Sequence, residues 1–231
     1  MRIAETFHSI QGEGILSGTP SFFIRLSGCN LRCRWCDTPY ASWHPEGTDW
    51  DVMALAHAAS ESGAHHAVIT GGEPLIAPAL PDLMQALKDQ GLHLTLETAG
   101  TLPPADFPCD LASLSPKLAN STPSIETAGV AWVERHEKTR LQPDILRQWC
   151  QFSDYQLKFV VATPADLEEI KTVVTAIRLP IPPERILLMP EGTDPTTLRQ
   201  RYPLLIAACL EHGYRLCPRL HIDLFGNTRG T

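Results

Sequence analysis

Six apolar runs of strand length recur along this 231-residue chain, and segments of helical period separate several of them. The runs are Phe22–Leu26, Ala67–Thr70, His93–Glu97, Leu111–Leu114, Gln156–Val161 and Ile186–Met189. Between them, Val52, Leu55, Ala56 and Ala59 follow the i, i+3, i+4, i+7 spacing of one helix face, as do Leu80, Leu83, Met84 and Leu87. Leu167, Ile170, Val174 and Ile177 share another face, and so do Leu198, Tyr202, Leu205 and Cys209. Asp51 and Asp166 are placed to start helices, Gly91 and Gly213 to stop them. Strands alternating with amphipathic helices build βα units around a mostly parallel sheet. A closed eight-fold βα barrel takes about 250 residues. Six strands therefore predict an α/β fold, an open, partial βα barrel. Functional residues then belong at the C-terminal ends of the strands, where the βα loops gather. No linker, repeat or low-complexity tract interrupts the chain, which predicts one domain over 1–231. Residues 1–20 are less regular, and the stretch 120–142 reads as a surface insertion or a capping element.

Lysine and arginine total 19 against 26 aspartates and glutamates, a formal charge of −7. That balance opposes wrapping nucleic-acid backbone, which needs a basic face, and leaves room for a local pocket that holds a small anion. The longest apolar stretch, around Leu204–Leu210, is far below the ~20 residues of a membrane span. The opening MRIAETFHSIQGEG has no apolar signal-peptide core, so the expected location is the cytoplasm. There are seven cysteines: Cys29, Cys33, Cys36, Cys109, Cys150, Cys209 and Cys217. In a reducing compartment the first three, crowded together, read as metal ligands or redox groups before disulfides. The other four have no such spacing, and Cys209 sits on the apolar face of a helical segment as a small core residue.

The crowded segment runs Gly28-Cys29-Asn30-Leu31-Arg32-Cys33-Arg34-Trp35-Cys36-Asp37-Thr38, just after the first strand. Three thiolates on one short loop can hold a four-iron cluster and leave one iron open, the coordination site that catalysis at a metal requires. Structural zinc, held by the same three cysteines and a histidine such as His44, is the plainer reading, although zinc ligands usually come as two pairs. A reactive dithiol is the third.

C-x3-C-x2-C with an aromatic before the last cysteine resembles the signature loop of radical S-adenosylmethionine (SAM) enzymes. In that family the open iron chelates the methionine moiety of SAM, and one electron from the cluster releases a 5′-deoxyadenosyl radical that abstracts hydrogen from substrate. Thr70-Gly71-Gly72-Glu73-Pro74, which would otherwise be a Gly-Gly turn, resembles the family's motif for the SAM amino group, with Glu73 a candidate acceptor for an ammonium. Ser115-Pro116-Lys117, at another strand end, matches a stretch that lies along SAM.

The N-terminal Ile10-Gln11-Gly12-Glu13-Gly14 narrows the resemblance. An amide and a carboxylate between glycines suit a heterocycle with adjacent N–H donors and a carbonyl. Together with Phe23-Ile24-Arg25-Leu26, Glu97-Thr98, Gly100-Thr101, Leu220-His221 and Gly226-Asn227-Thr228-Arg229-Gly230, the motif is similar to those of 7-carboxy-7-deazaguanine synthases, the radical SAM enzymes of 7-deazapurine (queuosine) biosynthesis. The stretch 120–142 carries none of the resemblance.

What the resemblance implies is specific. The substrate is 6-carboxy-5,6,7,8-tetrahydropterin, whose ring contracts with loss of ammonia to 7-carboxy-7-deazaguanine. This is a lyase-type rearrangement in which SAM is used catalytically and Mg²⁺ is needed. Cys29, Cys33 and Cys36 hold the [4Fe-4S] cluster. Trp35, Cys36, Asp37, Gly72, Glu73, Ser115, Pro116 and Lys117 bind SAM, and Thr38 offers its hydroxyl to Mg²⁺. Ile10, Gln11, Gly12, Glu13, Arg25, Thr70 and His221 line the substrate. The family also suggests a homodimer and a flavodoxin-like electron donor. Independently of the resemblance, strand alternation puts Arg25 on the face opposite Ile24 and Leu26. If that face is interior, the charge needs a partner, and a substrate carboxylate serves. Two alternatives compete: a glycyl-radical enzyme activase, which shares the cysteine spacing and GGEP, and a non-enzymatic electron carrier or zinc-stabilised binding module.

Overall fold

A computed structural model describes residues 1–231. Nine strands form one sheet: β1 (Arg2–Ile10), β2 (Pro20–Leu26), β3 (Thr48–Asp49), β4 (His66–Gly71), β5 (His93–Thr98), β6 (Leu111–Leu114), β7 (Tyr155–Val161), β8 (Ile186–Pro190) and β9 (Arg215–Leu216). Their order is β3-β1-β2-β4-β5-β6-β7-β8-β9. From β2 to β9 every pair is parallel, while β1 runs antiparallel to both neighbours. The sheet does not close, so the fold is an open, partial βα barrel. All six expected strands are present within a residue or two. The three additions are two-residue strands β3 and β9 and the irregular β1, whose pairing with β2 is broken by a register shift between Ile3 and Glu5.

The nine helices are α1 (Pro39–Ser42), α2 (Val52–Glu61), α3 (Leu80–Asp89), α4 (Ile125–Ala128), α5 (Val130–Thr139), α6 (Pro143–Phe152), α7 (Pro164–Ile177), α8 (Pro195–His212) and α9 (Leu220–Phe225). None is long and apolar enough to cross a membrane. Asp51 caps α2, its carboxylate accepting from Met53 N and Ala54 N. Asp166 plays a different part from the one expected. Thr163 is the cap of α7, and Asp166 completes a capping box by accepting from the Ala162 and Thr163 amides at 2.7 and 2.8 Å. Gly213 ends α8 in the left-handed conformation.

Period-two alternation divides the strands cleanly. Ile24, Leu26, Ile69, Leu94, Leu96, Leu114, Leu157, Phe159 and Leu188 point to the helices and join one continuous core with Leu83, Leu87, Ile170 and Leu205. Full burial of each such side chain is worth about 1.5–3 kcal/mol. The alternate positions, Phe23, Arg25, Thr70, Glu97, Ser113, Lys158, Val160 and Met189, face a cavity on the other side. The apolar half of each strand thus anchors the sheet, and the polar half becomes a wall.

The stretch 120–142 folds onto the cysteine loop. Arg34 N donates to Ser121 O at 2.9 Å, Arg32 N to His136 Nδ1 at 3.2 Å, and Trp35 Nε1 to Asn120 Oδ1 at 3.1 Å. His136 is fully buried, and burial pushes its pKa down to about 4. With Nδ1 accepting, Nε2 carries the proton and faces Ser121 Oγ at 3.0 Å.

Candidate active site

The cavity behind that polar wall has a volume of about 570 Å³, within the range of small-molecule sites. It opens at the C-terminal strand ends. Cys29, Cys33 and Cys36 line one side, all three as free thiols. Burial pushes Cys29 up to about 11 and Cys33 to about 12, and binding a metal would release those protons. The loop is held from several directions: Leu31 N approaches Cys29 Sγ at 3.4 Å, Ser42 Oγ meets Cys36 Sγ at 3.1 Å, and Trp43 Nε1 donates to Cys33 O at 3.0 Å. No three His, Cys, Asp or Glu side chains converge closely enough to hold a single ion. Three soft donors on one loop suit an iron–sulfur cluster with one position left to a ligand.

The glycines of Thr70-Gly71-Gly72 bring backbone against this loop. Gly72 N donates to Leu26 O at 3.1 Å and Glu73 N to Gly28 O at 2.9 Å. A Cβ on Gly72 would lie 2.0 Å from Gly28 O and 2.6 Å from Ala41 O. Gly72 lines the cavity and Glu73 does not. The Glu73 carboxylate faces protein, accepting from Thr98 Oγ1 at 2.7 Å, Ala99 N at 2.9 Å and Leu75 N at 3.2 Å. Burial pushes its pKa up. It braces the turn from behind the cavity wall. Trp35, Asp37, Thr38, Ser115 and Lys117 line the cavity; Pro116 does not. Lys117 Nζ donates to Ser115 Oγ at 2.7 Å and sits 5.6 Å from the centre of the Trp35 ring.

Ile10, Gln11, Gly12, Glu13, Arg25, Thr70 and His221 line the same cavity. Arg25 lies directly across the β1–β2 pair from Glu5. Its Nε donates to Glu5 Oε1 at 2.7 Å, and its two terminal nitrogens make no hydrogen bond to protein. Glu5 also accepts from Tyr40 Oη at 2.7 Å and Arg229 Nε at 3.3 Å. Thr70 Oγ1 donates to Glu97 Oε2 at 2.8 Å, and Gln11 Nε2 to Glu97 Oε1 at 3.3 Å. Gly12 is required by space: a Cβ there would sit 2.1 Å from His221 Nδ1. Burial lowers the His221 pKa, so the ring is neutral.

Glu13 belongs to a buried chain of charges. Its Oε2 pairs with Lys158 Nζ and its Oε1 with Arg219 Nε at 3.1 Å, and Arg219 Nη2 pairs with Asp37. Burial alone would push the Glu13 carboxyl up. Lys158 and Arg219 outweigh it and hold the group well below the usual carboxylate range. The pairing raises Lys158 and Arg219 in return.

Sequence reasoning missed Glu5, Lys158 and Arg219, and took Glu97 only as part of a motif. The alternation that singled out Arg25 also singles out Glu97 and Lys158, each a charge at a strand position flanked by core residues. Glu5 and Arg219 lie in segments without clear period and carried no comparable signal. The C-terminal residues Asn227–Thr231 also border the cavity, with Arg229 stacked on Tyr40 at 4.1 Å.

The Radical SAM superfamily profile matches residues 23–121. The chain is 46% identical over 230 residues to the 7-carboxy-7-deazaguanine synthase of Rhodopirellula baltica, covering 99% of this chain and 88% of that one. It is 44% identical to the synthase of the same name from Halobacterium salinarum, with 99% and 92% covered. Against the one from Pyrobaculum aerophilum it is 35% identical, with 100% and 97% covered. The crystal structure of QueE from Escherichia coli superposes with a TM-score of 0.70 at 27% identity, covering 95% of this chain and 94% of that one. Streptococcus suis SuiB shares the fold, with a TM-score of 0.58 at 12% identity over 85% of this chain and 48% of its own.

Proposed function

The chain belongs to the 7-carboxy-7-deazaguanine synthase family of radical SAM enzymes, and from that premise we propose how its own residues contract 6-carboxy-5,6,7,8-tetrahydropterin to 7-carboxy-7-deazaguanine with loss of ammonia. The observation that carries this reading is one cavity lined both by three free thiols and by a hydrogen-bonded polar wall. Cys29, Cys33 and Cys36 would hold the [4Fe-4S] cluster. The backbone at Gly72, the Trp35–Asp37 segment, and Ser115 and Lys117 would line SAM, with Glu73 and Pro116 shaping the turns behind. When bound, cluster and SAM supply one-electron cleavage chemistry that generates a hydrogen-abstracting radical, the step no side chain can perform.

The protein's part is recognition and shielding. Arg25, fixed through Nε by Glu5, turns its two terminal N–H groups to the substrate carboxylate as a bidentate donor. Glu13, kept ionised by Lys158 and Arg219, has acceptor capacity left for adjacent N–H groups of the pterin edge. Gln11 and Thr70 are oriented by Glu97, and neutral His221 closes the wall behind Gly12. Thr38 would offer one oxygen to Mg²⁺, with substrate and water supplying the rest, as suits an ion that takes few ligands from protein. Asp37 is committed to Arg219 and is not needed for that ion.

The enzyme works as a homodimer in the cytoplasm on this reading, fed by a flavodoxin-like electron donor. Exposed Leu210, Leu224 and Phe225 offer apolar surface for a second copy, and seven unpaired cysteines agree with a reducing compartment. Full-length similarity to synthases displaces the activase alternative. The test is anaerobic turnover with the carboxylated tetrahydropterin, SAM, Mg²⁺ and a reductant, read by mass. Formation of 7-carboxy-7-deazaguanine without net SAM loss is expected. Intact pterin, or SAM consumed in step with product, would overturn the reading.

A further inference from the structure

We propose that Arg219 is a positioning residue that sets the register between the substrate loop and the cysteine loop. One guanidinium joins three separate segments. Its Nε donates to Glu13 in the Gln11–Gly14 loop, its Nη2 to Asp37 between Cys36 and Thr38, and its Nη1 to Gly192 O beyond β8. The side chain is only 6% exposed, and no other residue touches both carboxylates. Lys158 reaches Glu13 alone. The charges balance as two cations against two carboxylates, and removing Arg219 takes from Asp37, whose side chain is 36% exposed, its one hydrogen-bonded cation.

The geometry makes the guanidinium a strut. The planar fork sends its donors in fixed, diverging directions, so the two loops it holds cannot drift independently. The inference rests on the reading above, in which one loop holds the pterin and the other borders SAM. Reaction between bound groups depends on their separation to within about 1 Å. Loosening the strut should therefore leave both ligands bound and misplace one against the other. SAM cleavage would then run without productive hydrogen abstraction.

The experiment compares wild type with Arg219→Gln and Arg219→Lys. Two readouts are taken: hydrogen exchange of residues 11–16 and 36–40 in cluster-loaded enzyme without substrate, and product formed per 5′-deoxyadenosine released. In Arg219→Gln, exchange should rise in both segments together, and the product ratio should fall about tenfold while iron content stays at the wild-type level. Arg219→Lys, which keeps the charge and loses the fork, should fall between. Should Arg219→Gln fold poorly, Arg219→Gln/Asp37→Asn removes the Asp37 charge and must show the same paired exchange increase. Unchanged exchange in either segment, or a product ratio within twofold of wild type, would overturn the strut. Wild-type enzyme that makes no product, with the exchange increase intact, would instead sink the proposed reaction and leave the strut standing.

Discussion

Gly72→Ala tests whether the second glycine of the GGEP turn serves the cysteine loop through space alone. The added Cβ would sit 2.0 Å from Gly28 O and 2.6 Å from Ala41 O, where 3.4 Å is the near limit of ordinary contact. Both obstacles are backbone, one just before Cys29 and one in α1 just after the loop, so no side chain can swing aside. Overpacking of this kind costs about 1–3 kcal/mol. The same carbonyls accept from Glu73 N at 2.9 Å and Gly28 N at 2.8 Å, and stretching those bonds costs about 1 kcal/mol each. The total is about 3–5 kcal/mol, which in a chain of this size lowers the melting temperature by roughly 10 °C. Because the strain falls at both ends of the loop that carries the thiols, iron and sulfide per chain after anaerobic reconstitution should fall as well. Gly63→Ala is the control. Gly63 has φ +75° with nothing within 4 Å of the added carbon, so it carries only the backbone penalty of about 1–2 kcal/mol. A Gly72→Ala protein that melts with Gly63→Ala and binds four irons would refute the reasoning.

Two further outcomes follow from the geometry. Arg25→Ala should weaken binding of the carboxylated pterin on the order of 100-fold, the loss of a bidentate charged pair, while the spectral change on adding SAM to the reconstituted cluster persists; titration calorimetry and absorbance read the two separately. His66 is buried between Ser21 Oγ and Thr95 Oγ1, at 2.7 Å from each, and burial, aided by His93, lowers its pKa to about 4. A histidine held neutral contributes stability that is full above its ordinary pKa of 6.5 and is lost as pH falls towards 4. Melting temperature should thus decline over that interval, and His66→Gln should flatten the decline; an equally steep profile in the variant would remove His66 as its source.

Much of the fold was legible because parallel strands covered by helices leave a strong apolar trace. Each of the six runs became a strand, and the four helical faces became α2, α3, α7 and α8. β1 escaped notice because its buried Ile3 and Ala4 are adjacent instead of alternating, at the register shift against β2. α5 was hidden for a different reason. Its one fully buried residue is His136, and Trp132 stacks against Arg32 at 3.9 Å, so its inward face is polar. The site divides in the same way. The thiols and the Gln11–Gly14 loop announce themselves by spacing. Arg219 acts through a loop 182 residues away, a distance at which no local pattern survives.

The sheet ends on strands of only two residues, Thr48–Asp49 at one rim and Arg215–Leu216 at the other. β3 covers its nine-residue neighbour β1 only at Arg2 and Ile3, whereas β9 covers Leu187 and Leu188 of the shorter β8. The two rims are therefore unequal: beyond Ile3 the outer edge of β1 carries backbone groups with no strand partner. Such an edge is a template for strand addition, so backbone pairing between copies has this one margin to run along.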